Sequence, residues 1–265
     1  MNSYILSRMT WSFSRISSYE NCPYQFFLKY ILLNEDRKGF FSSYGSFVHG
    51  LAEKYYSGSI SREEAVYQYL SGFSSNVCGT PPSINIYSNY FQQGLAYFRN
   101  IGPCGGKVLG LEKHVQFNVD GYPFVGYVDM VLEDEKGVLK IVDHKSRALR
   151  ARSGKKKPTA YDKELDQYLR QLYLYSIPIK EMYGRWPNKL VFNCYRTGNV
   201  IEEKFLHSEM LSAMEWAKGT IEQIKRDQKW KPSIDYWKCR HLCGVSHECD
   251  YWKLTGGESN DNRRY

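Results

Sequence analysis

The spacing of apolar residues in this chain changes from a helical to an alternating pattern near Val108. Before that point apolar residues recur every three to four positions, which is typical of amphipathic helices. Beyond it, apolar and polar residues alternate in three consecutive segments, which is typical of strands with one buried face. Short connections at Asp120-Gly121 and at residues 133–137 favour antiparallel neighbours. The sequence therefore predicts a helical first part followed by a β-meander.

The predicted elements cover most of the 265 residues. Helices are predicted over 14–31 (with a break at Pro23), 43–56, from Ser61 onward, 86–100, 162–182 and 209–228, and strands over 108–119, 124–132, 138–145, 189–195 and 200–205. This order predicts an α/β fold with a mixed central sheet flanked by helices. We expect one domain, 1–265, comprising a mostly helical region (1–105), a core (106–230), a cysteine-bearing segment (231–255) and a frayed polar tail (256–265).

Two of the predicted strands carry charged residues on a face that should be buried. One such face comprises Leu139, Ile141, Asp143 and Lys145, because side chains in a strand alternate. The equivalent face of the preceding strand comprises Val125, Tyr127, Asp129 and Val131. Buried unpaired charge is costly and persists where function needs it, so the two breaks in pattern predict a site.

The chemistry of that site follows from its two carboxylates. Asp129 and Asp143 would form a hard oxygen site that suits Mg²⁺ or Mn²⁺. Lys145 could then support an attacking water, an arrangement that suits hydrolysis of a phosphodiester bond. The strand pattern alone leaves open a plain surface salt bridge between Asp143 and Lys145.

Sequence motifs occur on these two strands and on both sides of them along the chain. In chain order they are Gly45-Ser46-Phe47-Val48-His49, Glu112, Gly126-Tyr127-Val128-Asp129, Asp143-His144-Lys145 and Gln171-Leu172-Tyr173-Leu174-Tyr175. Together they resemble the motifs of PD-(D/E)XK nucleases, and more narrowly of the RecB-like exonuclease branch, which includes CRISPR-associated exonucleases and the AddB nuclease domain. The resemblance implies a restriction-endonuclease-like core within residues 106–230.

The resemblance also implies a role for each matched residue. His49, Asp129 and Asp143 would bind a divalent metal together with the backbone carbonyl of His144. Lys145 would be catalytic, and Asp129 and Asp143 belong to the catalytic set as well. Glu112 would serve a second metal or its waters. Gln171 and Tyr175, which share one helix face, would organise the active site or contact DNA.

Four of the seven cysteines are grouped near the two ends of the chain. They are Cys22, Cys239, Cys243 and Cys249. In the iron-sulfur members of the RecB-like branch, one early and three late cysteines hold a [4Fe-4S] cluster that ties the chain ends together, and residues 14–24 resemble the segment with the first ligand. The late spacing, C-x3-C-x5-C, departs by one residue from the usual C-x2-C-x5-C.

Other interpretations of the cysteines stay open at this point. Structural Zn²⁺ is the alternative metal, because Cys239 and Cys243 suit a tetrahedral site and His241 or His247 could replace a thiolate. Separate buried thiols are a third interpretation. The remaining cysteines are predicted to be small buried hydrophobic residues; they are Cys78, Cys104 and Cys194.

The net charge of +8 is concentrated in one segment. Residues 147–157 contain no acid and carry Arg147, Arg150, Arg152, Lys155, Lys156 and Lys157. Because the segment begins two residues after Lys145, it is predicted to lie beside the metal site and to bind DNA phosphates in a salt-dependent manner. A solvated, mobile loop is the alternative.

The resemblance and the predicted site lead to one expected function. We expect a metal-dependent deoxyribonuclease, specifically an exonuclease acting on single-stranded DNA or DNA ends. An endonuclease or flap nuclease on the same core, or a catalytically inactive DNA-binding module, are the alternatives. Residues 102–108 fall short of a phosphate-binding loop, so any ATP-driven movement would need a partner such as a helicase or a recombination or CRISPR-adaptation protein. With no signal peptide or apolar membrane span in the sequence, we expect a cytoplasmic protein.

Overall fold

The computed structural model describes residues 2–257. Its helices are α1 (Asn2–Ser7), α2 (Phe13–Asn21), α3 (Pro23–Phe26), α4 (Phe40–Tyr56), α5 (Arg62–Asn76), α6 (Ile84–Asn100), α7 (Ala160–Tyr183), α8 (His207–Arg226), α9 (Tyr236–His241) and α10 (Asp250–Leu254), with a π-helical turn at Phe27–Ile31 and a 3₁₀ turn at Ser246–Glu248. Most of the predicted tail, residues 258–265, lies outside the described residues. Within residues 2–257, no helix is both long enough and apolar enough to cross a membrane.

A single five-stranded sheet forms the centre of the fold. Its strands are β1 (Lys107–Val119), β2 (Tyr122–Glu133), β3 (Leu139–Lys145), β4 (Lys189–Cys194) and β5 (Asn199–Lys204), in spatial order β1-β2-β3-β4-β5. The first three strands form the predicted antiparallel meander, β3 and β4 are parallel, and β4 and β5 are antiparallel. The parallel pair requires a crossover, which α7 supplies. The predicted α/β fold with a mixed sheet and flanking helices is confirmed.

Local sequence signals explain where the long helix α7 begins and ends. Thr159 caps its first turn by accepting a hydrogen bond from the Asp162 backbone, while Asp162 bonds back to the Thr159 backbone. Gly184 follows the helix in the left-handed conformation that glycine tolerates best. These signals fix the start of α7, and with it the face that the helix turns toward β3.

The two largest apolar cores lie on opposite sides of the sheet. The larger core joins the sheet to α7, α8 and the N-terminal helices, with Ile141, Leu172 and Phe192 among its buried residues. The second core lies between α4, α5 and α6, and includes Tyr195, which directly follows β4. Helix α4 is therefore positioned on the side of the sheet opposite to α7.

The buried side of β2 differs from the predicted alternation. In the first half of β2, Phe124 and Val128 are buried in the larger core while Tyr127 is 57% exposed. In the second half, Val131 is buried in the same larger core, although it lies an odd number of positions from Val128. The alternation shifts by one position next to Asp129. Opposite Asp129, Glu112 has a positive φ of 45°, and this left-handed backbone interrupts the regular ladder. The predicted face 125-127-129-131 was therefore wrong for its first half.

Candidate active site

Asp143 and Lys145 form an ion pair on the face of β3 that packs against α7. Nζ of Lys145 lies 2.8 Å from Oδ2 of Asp143. Asp143 is only 4% exposed. Burial raises the pKa of Asp143 to about 6, although the charge of Lys145 opposes the shift. Burial alone would lower the pKa of Lys145, but the carboxylate of Asp143 outweighs it and raises the pKa. Both groups are therefore charged at neutral pH, and the pair is buried, not a surface salt bridge.

Three residues from three different elements meet beside this pair. Nε2 of His49, on α4, lies 3.3 Å from Oε1 of Glu112 on β1 and 3.3 Å from Oδ2 of Asp129 on β2. One ligand atom from each residue lies within 4.8 Å of the other two. Glu112 is opposite Asp129 in the ladder, between the pairs Leu111–Met130 and Lys113–Val128. The strained backbone of Glu112 is thus located at the site, where strain is most often retained.

The charges of this group influence one another strongly. Burial lowers the pKa of His49, but its hydrogen bond to Asp129 and the surrounding carboxylates outweigh burial and raise it. Burial raises the pKa of Glu112 to about 7, helped by the charge of Asp129. Burial would also raise the pKa of Asp129, yet the partners His49 and His144 leave it lowered. Of the two carboxyl groups in this trio, Asp129 therefore keeps its negative charge more readily than Glu112.

The donor set of this group fits a divalent metal ion. One imidazole nitrogen and two carboxylates converge, and the backbone N–H of His144 donates to Oδ2 of Asp129 at 2.7 Å, which orients that carboxylate. Oδ2 of Asp143 is inaccessible to solvent, and its partner is the ammonium group of Lys145. One position beyond the ladder pair Met130–Val142, Asp129 on β2 lies opposite Asp143 on β3. Asp143 is not part of the 4.8 Å group, so two of the three side chains predicted to bind the metal, His49 and Asp129, converge there together with Glu112.

Gln171 and Tyr175 lie on the α7 face that covers Lys145. Oε1 of Gln171 accepts a hydrogen bond from Nζ of Lys145 at 3.1 Å, and Nε2 of Gln171 is 3.5 Å from the hydroxyl of Tyr175. Tyr175 packs directly on Gly126, where a Cβ atom would lie 2.5 Å from the tyrosine hydroxyl oxygen. Only glycine leaves room for this contact. Gly126 thus allows Tyr175 and Gln171 to approach Lys145.

Tyr168 was missed by the sequence analysis. Its ring centroid lies 5.3 Å from Nζ of Lys145, and the ring of Phe192 lies 5.9 Å from the same atom. Tyr168 precedes Gln171 by three positions, so helical spacing places it on the same face. That spacing was the available signal. The ammonium group of Lys145 is enclosed by two aromatic rings, an amide and a carboxylate.

The basic segment 147–157 is held against α7. Its three arginines have partners: Arg147 pairs with Glu164 and Tyr168, Arg150 lies over the Tyr161 ring, and Arg152 pairs with Asp166 and Glu203. Lys155, Lys156 and Lys157 are exposed, and none of them forms an ion pair with the described part of the chain. The six charges therefore differ in how available they are to a ligand.

Asp162 closes the loop that carries these lysines. Its carboxylate accepts hydrogen bonds from the backbone and hydroxyl of Ser153, at 2.8 and 2.7 Å, and from the backbone and hydroxyl of Thr159, both at 2.6 Å. These bonds hold the pKa of Asp162 well below its usual range. The three lysines are presented on a loop with both ends anchored.

All four grouped cysteines line one cleft of roughly 900 Å³, together with residues of α2, α7 and α9. The N- and C-terminal parts of the chain meet here, since the backbone N–H of Ser233 lies 3.3 Å from Sγ of Cys22. The thiols do not form a group of three with all sulfurs within 4.8 Å. Four cysteines in one cleft offer the donor set of a [4Fe-4S] cluster, in which each thiolate binds a different iron, and equally that of a structural zinc site.

The other three cysteines lie apart from this cleft. Cys194 is buried, as predicted, but Cys104 is only partly buried and Cys78 is exposed. The prediction that all three are buried was wrong, because Cys78, in the loop between α5 and α6, is exposed and Cys104 is only partly buried.

The fold and the site together define a class of protein. A mixed sheet presents an aspartate and a lysine two residues apart, next to a His-Glu-Asp group that suits a divalent metal, which is the arrangement of a metal-dependent nuclease. The family model of the PD-(D/E)XK nuclease superfamily matches residues 10–250. The chain belongs to this superfamily.

The fold of a solved structure agrees with this assignment. A protein of Eubacterium rectale provisionally designated an exonuclease is similar to this chain with a TM-score of 0.51 and 14% sequence identity, over 94% of both chains. The structure of SSO0001 is 17% identical over 86% of this chain and 94% of its own length, with a TM-score of 0.33. No curated protein matches this chain.

Proposed function

We propose that this protein is a metal-dependent deoxyribonuclease, and more specifically an exonuclease that acts on single-stranded DNA or on DNA ends. The observation that carries the proposal is the convergence of His49, Glu112 and Asp129 within 4.8 Å, beside the buried Asp143–Lys145 pair. The presence of His49, Asp129, Asp143 and Lys145 in the sequence argues against an inactive DNA-binding module.

Each residue of the site would have its own role. His49, Asp129 and Asp143, with the His144 carbonyl, would hold Mg²⁺ or Mn²⁺, and Glu112 would hold a second ion or its waters. A bound divalent cation lowers the pKa of water and offsets charge on the phosphate. Lys145, kept charged by Asp143, would stabilise the negative charge that develops on the phosphate during attack. Gln171 holds the Lys145 ammonium in place.

DNA would be held next to this site by the basic segment. Lys155, Lys156 and Lys157 are the charges most available to phosphates, because Arg147 and Arg152 already pair with acidic residues. Arg147, Arg150 and Arg152 would contact DNA after exchanging these partners. The anchored loop lowers the entropy that binding would cost.

We also propose that Cys22, Cys239, Cys243 and Cys249 hold a [4Fe-4S] cluster. Support comes from their common cleft and from the resemblance of residues 14–24 to the segment that carries the first cluster ligand. The cluster would join the N-terminal helices to the C-terminal segment, a structural role.

The proposed activity is tested with end-labelled linear DNA and circular single-stranded DNA in the presence of Mg²⁺ or Mn²⁺. An exonuclease degrades linear DNA progressively and leaves the circle intact. Cleavage of the circle would instead favour the endonuclease, and cleavage of neither by a metal-loaded protein would contradict the proposal.

The cluster is tested by visible absorption of the anaerobically purified protein. A [4Fe-4S] protein is brown, whereas d¹⁰ zinc is colourless. Cys243→Ser should lose the colour and Cys78→Ser, at the exposed cysteine, should keep it. A colourless parent protein that contains one zinc per chain would overturn the assignment.

A further inference from the structure

His144 lies between Asp143 and Lys145, but its side chain is on the opposite face of β3. Its ring lies between two tyrosine rings: Tyr56, at 5.6 Å between centroids and 8° between planes, and Tyr195, at 5.4 Å and 17°. Such nearly parallel, offset rings are a favourable arrangement. The imidazole is thus fixed between α4 and the end of β4.

A hydrogen bond fixes the rotation of the same ring. Nδ2 of Asn193, the residue paired with His144 across β3 and β4, lies 3.2 Å from Nδ1 of His144. The amide also donates to the Tyr97 hydroxyl at 3.1 Å, which in turn lies 3.3 Å from the Tyr56 hydroxyl. Because the amide nitrogen of Asn193 can only donate, Nδ1 of His144 accepts the bond between them.

His144 also contacts two of the groups that would bind metal. Its backbone N–H donates to Oδ2 of Asp129 at 2.7 Å, and its ring lies 5.8 Å from the ring of His49. Tyr56 follows His49 by seven residues on α4, which is two helical turns and therefore the same face. A change in the position of the His144 ring would therefore move α4, and with it His49, relative to Asp129.

We propose that the His144 side chain is a positioning group for the metal site: held by Asn193 and stacked between Tyr56 and Tyr195, it sets the distance between His49 on α4 and Asp129 on β2. The role is separate from that of the His144 backbone carbonyl. It rests on the proposed function in one respect, namely that the site binds a divalent cation.

The test measures Mn²⁺ binding by isothermal titration calorimetry, with no substrate present. Asn193→Leu removes the hydrogen bond at similar volume and should weaken Mn²⁺ binding about tenfold, in the range found when partners of metal ligands are lost. His144→Phe keeps a ring between the tyrosines and should weaken it by a similar factor. Because Asn193 acts through His144, the double variant should be no weaker than His144→Phe alone. Asn199→Leu, at an exposed position of β5, is the matched control.

A second readout distinguishes positioning from loss of fold. If DNA cleavage is measured against Mn²⁺ concentration, Asn193→Leu should need more Mn²⁺ but reach a kcat within about twofold of the parent. A merely destabilised protein would lose rate in proportion at every concentration. If Asn193→Leu does not fold, His144→Phe provides the same comparison.

The outcomes separate this proposal from the proposed function. A parent protein that binds no Mn²⁺ would contradict the metal site itself. A parent that binds Mn²⁺, together with folded Asn193→Leu and His144→Phe proteins that bind it equally well, would overturn only the positioning role of His144.

Discussion

The side-chain amide oxygen of Gln171 accepts a hydrogen bond from Nζ of Lys145 at 3.1 Å, which connects α7 to the end of β3. On its other side the same ammonium group pairs with Asp143 at 2.8 Å. An exposed lysine side chain is flexible. The side chain of Lys145 is instead held in one position by its two polar partners and by the ring of Tyr168. The lysine is therefore preorganised before any substrate binds.

Removal of this lysine should abolish most of the activity and leave metal binding intact. We expect Lys145→Ala to lower kcat by about 10²- to 10³-fold, as seen when a preorganised charge-stabilising group is deleted. Mn²⁺ binding, measured by calorimetry, should change little. Lys140→Ala, on the same strand but paired with Glu202, is the control and should retain activity. Equal cleavage by Lys145→Ala and the parent would show that Lys145 is not part of the active site.

Loss of His49 should weaken metal binding directly. His49→Ala removes a ligand nitrogen that lies 3.3 Å from both Glu112 and Asp129, so Mn²⁺ affinity should fall by more than the roughly 10- to 100-fold expected for an outer partner. EDTA should abolish cleavage by the parent, and added Mn²⁺ should restore it. His114→Ala, on the exposed face of β1, should bind as the parent does. If His49→Ala bound Mn²⁺ as tightly as the parent, α4 would not be part of the metal site.

Gly126→Ala should destabilise the protein through Tyr175. The new methyl group would lie 2.5 to 2.7 Å from three atoms of a tyrosine that is only 6% exposed, so the ring must move. We expect a loss of about 1–3 kcal/mol in the free energy of unfolding in urea. In a Tyr175→Ala background the same substitution should cost little. An equal cost in both backgrounds would mean that the Gly126–Tyr175 contact is not the cause.

Asp162→Asn should destabilise the lysine loop in a pH-dependent manner. Hydrogen bonds from Ser153 and Thr159 lower the pKa of Asp162 in the folded protein, so they contribute stability above the unfolded pKa of about 3.9. That contribution is lost as the pH falls toward the folded pKa. Thermal unfolding should therefore show a lower Tm for Asp162→Asn at pH 7 and a smaller difference below pH of about 4. Asp166→Asn, at an exposed residue, is the control; a difference independent of pH would contradict the assignment.

Neutralising the exposed lysines should reduce the salt dependence of DNA binding. When Lys155, Lys156 and Lys157 are changed together to Gln, the slope of log affinity against log salt concentration should become shallower by about 2. Each lysine contact with a single strand contributes roughly 0.7 to this slope. Arg152→Gln is the comparison, because Arg152 is already paired with Asp166 and Glu203 and should change the slope less. If the triple variant kept the slope of the parent, the loop would not contact phosphates.

The order of elements, and which candidate residues share one face of an element, could be predicted from the sequence because both depend on local patterns. Alternation within 138–145 places Asp143 and Lys145 on one face, and helical spacing does the same for Gln171 and Tyr175. Capping residues such as Thr159 mark where a helix begins. Each of these signals acts over a few residues, so it is readable without the rest of the chain.

Distances between elements were decided only by the tertiary structure. Nothing in the sequence shows that Glu112 contacts His49, that Tyr168 covers Lys145, or that Arg152 is already paired. Periodicity reports which face a residue occupies but not how far that face lies from a distant element. That distance is set by packing, as when the His144 ring separates Tyr56 from Tyr195, and packing depends on the shapes of side chains far apart in the chain.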